Sequence, residues 1–263
     1  MTTWSDEMDE AVNAVAAALQ QAHRSGVAAD ALQPGAAALQ TLAQAGAVHW
    51  ALGRALDWWA TPVPLRWKAG APDAGSPVTC APLPDRGIWD SPADARAWPM
   101  QMRGVEAEIA LRLGQPVTAA QVARLTPESV HGLVDAMAVS IELVDSRWQQ
   151  AMDAPDLLRL ADLQSHSALV LGAWQPYRRL DWQAQACTAR CGAAPAVQRQ
   201  GSHSLGDPAA VLLPWLRQAT AQVAAIPAGT VVTTGTWVGL LQARPGDLVQ
   251  VAFAGIGQAS VQL

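Results

Sequence analysis

The chain has 263 residues, of which 51% are hydrophobic and 15% charged, and a formal net charge of −5. That is enough chain to bury a real core, as one large domain or one domain with a helical extension. The charge offers no basic surface for nucleic acid or an anionic membrane, and no apolar run approaches the roughly 20 residues of a membrane helix.

In chain order, the opening MTTWSDEMDE is acidic, where a signal peptide is basic and then apolar. Ala- and Leu-rich segments with helical spacing run from about Ser5 to Ala60, broken at Gly26 and Pro34-Gly35; they predict two or three helices, and residues 1–60 are read as an N-terminal helical part. Residues 61–100 hold many Pro, Gly and Asp and predict loops with short strands. Within them, alternation in Arg66-Trp67-Lys68-Ala69-Gly70 sets Arg66 and Lys68 on one face and Trp67 on the other. Val105 to Leu113 alternates strictly and predicts a strand ended by Gly114. Thr118 with Gln121 predicts a capped short helix, and Thr126-Pro127 a helix running to about Met137.

Ala138 to Val144 and Ser167 to Leu171 predict strands, and a weaker pair is expected over Trp182 to Arg190 and Ala196 to Arg199. Asp207-Pro208 caps a helix ending near Val223, which the interior Pro214 should kink. Strands are expected at Thr230 to Thr234, Asp247 to Phe253 and Ala259 to Leu263, with Gly255 and Gly257 at a hairpin turn. The fold class is therefore mixed α/β (α+β), with a helical N-terminal part and a strand-rich body over 61–263.

Glu106 and Glu108 are two apart on an alternating strand, so their side chains share a face. Glu142 lies mid-strand on the next predicted strand. Three carboxylates converging from two strands suit Mg²⁺ or Mn²⁺, hard ions that take oxygen ligands; a strand with one wet face also carries charges at this spacing. Of 17 Lys+Arg, only Lys68 is lysine, against 12 Trp, one Phe and one Tyr. In a chain drifted this far toward arginine, a surviving lysine is either a position that wants a compact cation of shiftable pKa or a chance survivor on the surface. Cys80, Cys187 and Cys191 have no paired metal spacing and read as free thiols of a reducing cytoplasm.

The segments RGVEAEIALRLG, SIELVDSRW, ADLQSHSALVLG and PGDLVQVAFAGIG, with RWKAGAP upstream and LGDPAAVLLPWL and VVTTGTWVG in their places, resemble in order the 2-keto-4-pentenoate hydratase branch of the fumarylacetoacetate hydrolase superfamily, from about Ala45 to Leu263. The resemblance implies a mixed-sheet β-roll with a metal site at its mouth. It puts metal ligands at Glu106, Glu108 and Glu142, catalytic roles at Lys68 and at Asp85 in LPDRG, and substrate contacts at Asp162, Ser165, Thr234, Gly235 and Thr236. It also implies a homo-oligomer, at least a dimer, and a small 2-oxo acid as substrate. The expected reaction is addition of water to a 2-hydroxydienoic (2-oxo-enoic) acid to give a 4-hydroxy-2-oxo acid. The alternatives are decarboxylation or tautomerisation of a related 2-oxo diacid, and a catalytically inactive binding relative, against which the complete glutamate and lysine set argues. Leu163 stands where the branch usually has asparagine, which points to a different substrate. His166 and His203, in or beside matched segments, are candidate proton carriers but read rather as surface or structural histidines. The added His–Glu pair of the superfamily's carbon–carbon hydrolases has no counterpart here.

Overall fold

The computed structural model describes residues 10–33 and 39–263; the acidic opening segment and the Pro34-Gly35 break lie outside the described residues. Helix α1 (Glu10–Ser25) buries Val12, Val15, Leu19 and Ala22 on one side. Helix α2 (Leu42–Ala55) is opened by a reciprocal cap between Thr41 and Gln44. The body follows as β1 (Arg66–Gly70), β2 (Thr79–Pro82), β3 (Ile88–Asp90), β4 (Ala93–Asp94), β5 (Gly104–Leu113), β6 (Val117–Thr118), α3 (Ala119–Val122), β7 (Val134–Val144), α4 (Asp156–Ala161), β8 (His166–Leu171) and β9 (Gln175–Pro176). It continues through β10 (Ala186–Cys191), β11 (Val197–Gln200), α5 (Leu212–Thr220), β12 (Ala225–Ile226), β13 (Val231–Thr233), β14 (Leu241–Gln242), β15 (Leu248–Phe253) and β16 (Gly257–Gln262). No helix of the described residues is long and apolar enough to cross a membrane.

A nine-stranded mixed sheet runs β2-β1-β13-β5-β7-β8-β3, with β14 and β9 added along β5 and β7. A five-stranded sheet runs β11-β10-β15-β16-β4. The main core fills the space between them. From the large sheet it takes Val105, Ala107, Ile109 and Leu111 of β5 and Met137, Val139, Ile141 and Leu143 of β7; from the small sheet come Cys187, Val249, Val251, Phe253 and Val261. Because side chains alternate, Glu106, Glu108, Ala110, Ser140 and Glu142 must point out of the opposite face. There Ala110 joins a small cluster with Leu83, Leu169 and Leu171. The helical part shares a separate core with the body, in which Leu19, Val48 and Leu52 meet Trp148, Leu158 and Leu163.

Two expectations are corrected. Residues 127–137 form no α-helix: Thr126 and Ser129 cap each other, but only a 3₁₀ turn over Ser129–Leu133 follows. The chain then enters β7, where Val134 pairs with Leu113 and Asp135 takes a two-pronged bond from Arg112. Pairing along the full length of β5 outweighs the local cap, so β7 begins four residues earlier than the expected strand at Ala138. Pro214 kinks nothing. Residues Pro208–Val211 are 3₁₀ and the α-helix starts at Leu212, which places the proline in its first turn, where a missing N–H costs little.

Gly172 follows β8 where the two sheets meet, and a Cβ there would sit 2.6 Å from the Gln258 carbonyl oxygen and 3.1 Å from that of Val139. Both obstacles are backbone and cannot swing away. Gly172→Ala should destabilise the protein by about 1–3 kcal/mol, the usual cost of overpacking, read as a lower denaturation midpoint at unchanged slope; an unchanged midpoint would mean that the sheets separate freely.

Candidate metal centre

The register of β5 on β7 sets Glu106 directly opposite Glu142 and Glu108 opposite Ser140. Each of the three glutamates offers an oxygen, and these oxygens lie within 4.8 Å of one another. Glu142 is 0% exposed and Glu108 1%, while Glu106 is half-buried and opens the cluster outward. Like charges paired across a ladder repel, and burial sharpens the repulsion.

Lys68 answers it from β1. Its partner in register is Thr233 of β13, which itself pairs with Ala110 of β5, so the sheet carries the lysine to the cluster. Lys68 Nζ donates to Glu142 Oε1 at 2.6 Å and to the Gln164 carbonyl at 3.3 Å, and the residue is 8% exposed. His166 Nδ1 lies 2.9 Å from the same Glu142 oxygen. Glu108 is held by the Thr233 hydroxyl, which also meets Ser140 Oγ at 3.0 Å, and by the Gly235 N–H at 3.1 Å. Gly235 has φ +104°, a conformation that side chains other than glycine's rarely permit, so this donor is a property of the residue type.

The titration behaviour follows from this crowding. Burial, then repulsion from Glu142, lifts Glu106 to about 7 against the pull of Lys68. Burial, then Glu142 and Glu106, lifts Glu108 to about 8. Burial would raise Glu142 as well, but Lys68 and His166 outweigh it and hold its carboxyl below the ordinary value. Burial would lower Lys68, but Glu142, Glu106 and Glu108 together keep its ammonium above the ordinary value.

Glu142 Oε2 is buried without a hydrogen-bond partner. Three carboxylates against one ammonium leave two negative charges, which a divalent cation cancels. An all-oxygen donor set with an orphaned buried oxygen fits Mg²⁺ or Mn²⁺.

The other expected site residues are placed differently. The Asp85 carboxylate accepts from the Ala60 N–H at 2.8 Å and makes no bond to Lys68 or the glutamates among the described residues. Asp162 is fully buried and committed elsewhere: it takes Arg147 Nε at 2.5 Å, the Arg147 N–H at 2.9 Å and Ser146 Oγ at 3.3 Å. A substrate cannot reach it, and burial, only partly offset by Arg147, still raises it to about 6. The Ser165 hydroxyl is buried and unpartnered. Thr234 is fully buried with its hydroxyl on the Ile109 carbonyl, and the Thr236 hydroxyl donates to the Gly239 carbonyl; of that turn, only Gly235 touches the cluster.

Neither histidine lies on the surface. His166 is on Glu142, and His203 Nε2 meets the Thr234 carbonyl at 2.8 Å, bracing the glycine turn from behind. Sequence reasoning missed Arg147, Thr233 and Gln164. The last two follow from register and from backbone: Leu163, Gln164 and Ser165 have φ of 52°, 55° and 60°, a strained run that turns the Gln164 carbonyl to Lys68.

Residues 87–263 match the family described as "Fumarylacetoacetate (FAA) hydrolase C-terminal", and the chain belongs to that family. A 4-oxalocrotonate decarboxylase of Pseudomonas sp is 27% identical over 165 residues, and the match spans 59% of each protein, less than two thirds of the relative's length. Among solved structures, 4-oxalocrotonate decarboxylase from Pseudomonas putida G7, complexed with magnesium and adipate, superposes with a TM-score of 0.80 at 19% identity, over 95% of this chain and 96% of that one. Fumarylpyruvate hydrolase from Pseudomonas aeruginosa, in complex with Mn²⁺ and pyruvate, gives 0.55 at 15% identity over 76% of this chain and 89% of that one. At these identities the superpositions speak for the fold: a mixed α/β architecture of this family.

A raised carboxyl pKa has a definite sign. Between the ordinary value and the raised one, the unfolded chain ionises while the folded protein holds its proton, so stability falls as pH rises. For Glu106 and Glu108 this window runs from 4.5 to about 7 and about 8. The contribution of these two carboxyls to the stability of the metal-free protein should therefore fall from pH 5 to pH 8, read at each pH as the difference in melting temperature between the parent and the Glu106→Gln, Glu108→Gln double variant, with Mg²⁺ or Mn²⁺ restoring the parent's loss. Ion binding should release roughly one to two protons near pH 6.5, because ligands must be deprotonated, and calorimetry in buffers of different ionisation enthalpy reads that number. Binding without proton release would place the ion elsewhere.

Proposed function

We propose that this member of the fumarylacetoacetate hydrolase family is a divalent-metal-dependent enzyme acting on a 2-oxo-enoic diacid, releasing its remote carboxylate as CO₂ in the manner of a 4-oxalocrotonate decarboxylase. The observation that carries the reading is the Lys68–Glu142 pair buried within a cluster of three carboxylates. That arrangement suits a reaction in which negative charge gathers on the oxygen at C2 of the substrate. The choice of decarboxylation rests on the curated relative of that name and on the solved decarboxylase that aligns with nearly the whole chain, helical part included. Hydration of a 2-hydroxydienoic acid is the second reading. It rests on the ordered run of segments resembling the hydratase branch and would use the same charge stabilisation.

A bound Mg²⁺ or Mn²⁺, held by Glu106, Glu108 and Glu142, would supply positive charge for the substrate's C1 carboxylate and C2 oxygen. The chain's own groups do the rest. Lys68 stays an ammonium at neutral pH, so it offsets the charge of an anionic substrate and offers a proton during enol–keto conversion. When the bond to the leaving carboxylate breaks, its electron pair passes through the conjugated carbons to the C2 oxygen, and a carbon of the product later takes up a proton. His166 on one side and Thr233 with Gly235 on the other fix Glu142 and Glu108, so that the cluster does not reorganise as the charge moves. Asp85, whose carboxylate braces the Ala60 N–H, is left without a role in this scheme.

With Mg²⁺ and 4-oxalocrotonate, mass spectrometry should show a product lighter by CO₂; a product heavier by one water from a 2-hydroxydienoic acid, with 4-oxalocrotonate untouched, would select the hydratase reading, and turnover of neither acid with metal bound would leave an inactive binding relative. Lys68→Arg should keep fold and metal but lower kcat roughly 10²–10⁴-fold, the usual loss of general acid–base help. Arginine preserves the charge but is bulkier and does not give up its proton. Near-full turnover of that variant would reduce the lysine to a charge partner.

We further propose assembly to at least a dimer. Val27 and Leu32, 68% and 70% exposed beside the helical part, are apolar surface that an interface would cover. Obligate interfaces commonly bury about 2,000 Å² or more. Light scattering at micromolar concentration should give a multiple of 27.6 kDa; a monomer overturns the proposal.

A further inference from the structure

Besides Glu142, the Lys68 ammonium bonds one residue among those described, and that residue carries no charge. Gln164 accepts from Lys68 Nζ at its backbone carbonyl, at 3.3 Å. Its side chain runs elsewhere: the amide Nε2 donates to the Thr79 hydroxyl on β2. The backbone of Gln164 has φ 55°, in the left-handed region that residues other than glycine seldom occupy.

Register explains why Thr79 is within reach. Gly70 of β1 pairs with Thr79 and Lys68 pairs with Ala81, so alternation brings the Thr79 and Ala81 side chains out on the face that carries Lys68. Ala81 belongs to the same buried cluster as Leu163, the residue before Gln164. The turn is thus set against β2 twice, by the apolar cluster at Leu163 and by the amide at Gln164. The Thr79 hydroxyl also faces the Gly70 carbonyl at 3.5 Å, which returns the polar contacts to β1, two residues beyond Lys68.

This bond joins two neutral groups, so it leaves the charge balance of the cluster alone. What it fixes is where the turn stands. Gln164 is the one residue that touches both the ammonium and the strand beside it, and it does so with both its backbone and its side chain. Gln164 and Thr79 are themselves half-buried, and Glu106, also half-buried, opens the cluster at its other edge.

We propose that Gln164 is a positioning residue for Lys68: its side chain, strapped to the Thr79 hydroxyl, holds the turn of residues 163–165 closed over the ammonium on the β2 side and leaves the Glu106 side as the way in. The role goes beyond the reaction proposed above and does not depend on it, because access to Lys68 is measured without turnover.

Lys68 is the only lysine of the chain, so acetylation of a side-chain amine reports on it alone. The test is the rate at which N-hydroxysuccinimidyl acetate acetylates Lys68 in the full chain with Mg²⁺ at one fixed pH, followed by mass spectrometry. Gln164→Leu and Thr79→Val each delete one end of the strap at nearly constant volume, and each should raise the rate roughly fivefold or more, the worth of one neutral hydrogen bond. Thr79→Ser, which keeps the hydroxyl, should stay within about twofold of the parent. All three should melt within a few degrees of the parent, since both side chains are half-buried. Should Gln164→Leu fail to fold, the two Thr79 variants decide alone. A rate unchanged in Thr79→Val, or raised as much in Thr79→Ser as in Thr79→Val, overturns the proposal. A rise in Gln164→Leu alone also overturns it, because the shield would then be the turn without its strap. None of these outcomes bears on whether the enzyme decarboxylates its substrate.

Discussion

Repulsion among three clustered carboxylates, two of them fully buried, is the constraint around which this sheet face is organised. The alternation that sends Ala107, Ile109 and Leu111 into the core sends Glu106 and Glu108 out of the other side, and the register of β7 adds Glu142 opposite. Such a face cannot persist bare. Lys68 offsets part of the charge, Thr233 and Gly235 donate to Glu108, His166 meets Glu142, and burial with mutual repulsion makes Glu106 and Glu108 keep their protons to higher pH than ordinary carboxyls. These neighbours come from β1, β8, β13 and the turn after β13, so the site exists only once the nine-stranded sheet is assembled. Removing one partner of a buried ion pair typically costs about 3–5 kcal/mol, because a lone charge stays behind. The cluster is therefore a place where stability is given up, to be recovered when a divalent ion binds.

The pieces of this site differ in how far the sequence reveals them. Glu106 and Glu108 are legible because a strand of ten residues alternates without a break, and same-face placement follows from period two alone. Glu142 is legible as a charge in an otherwise apolar strand. Lys68 stands out by rarity in a chain that otherwise uses arginine. The strands of the carboxy-terminal hairpin are legible for the same reason as β5, and Gly255 and Gly257 do lie at the turn, with φ of 71° and 155°. What is hidden depends on distant partners. Asp162 looks like a site residue, and only the arrival of Arg147 shows it to be an anchor. His166 looks ordinary until the pairing of β8 with β7 brings it to Glu142. The segment after Thr126 carries a genuine cap, and nothing local says that pairing with β5 will override it.

The Asp162–Arg147 anchor and the strained turn after it belong to one device. Three consecutive residues with positive φ, none of them glycine, are costly and persist only where the surroundings over-determine them. Arg147 supplies much of that determination: its guanidinium bonds the Asp162 carboxylate, the Asp162 carbonyl and the His166 carbonyl, spanning the turn from end to end. Leu163 is pressed into the core shared with the helical part, which closes the turn from below. With its ends clamped and one side chain buried, the turn presents the Gln164 carbonyl to Lys68 and places His166 beside Glu142.

That clamp also gives the helical part a bearing on chemistry it never touches. Ala29 exchanges backbone hydrogen bonds with Arg147 and Gln149, and Trp148 is fully buried among the helices with its indole N–H on the Leu158 carbonyl. The chain that leaves Arg147 is thus held by the segment after α1 and by the core shared with the helices, and Arg147 in turn holds the turn that aims at Lys68. A body lacking these helices would retain its sheet and its three glutamates but would lose the support behind Arg147. The strain at Leu163, Gln164 and Ser165 would then be opposed only by the bonds of an unanchored Arg147, and the turn would relax toward ordinary backbone angles. The Gln164 carbonyl and the His166 ring would leave Lys68 and Glu142, so the helices act on the carboxylate cluster at one remove, through the packing of Leu163 and Trp148 and the backbone that carries Arg147.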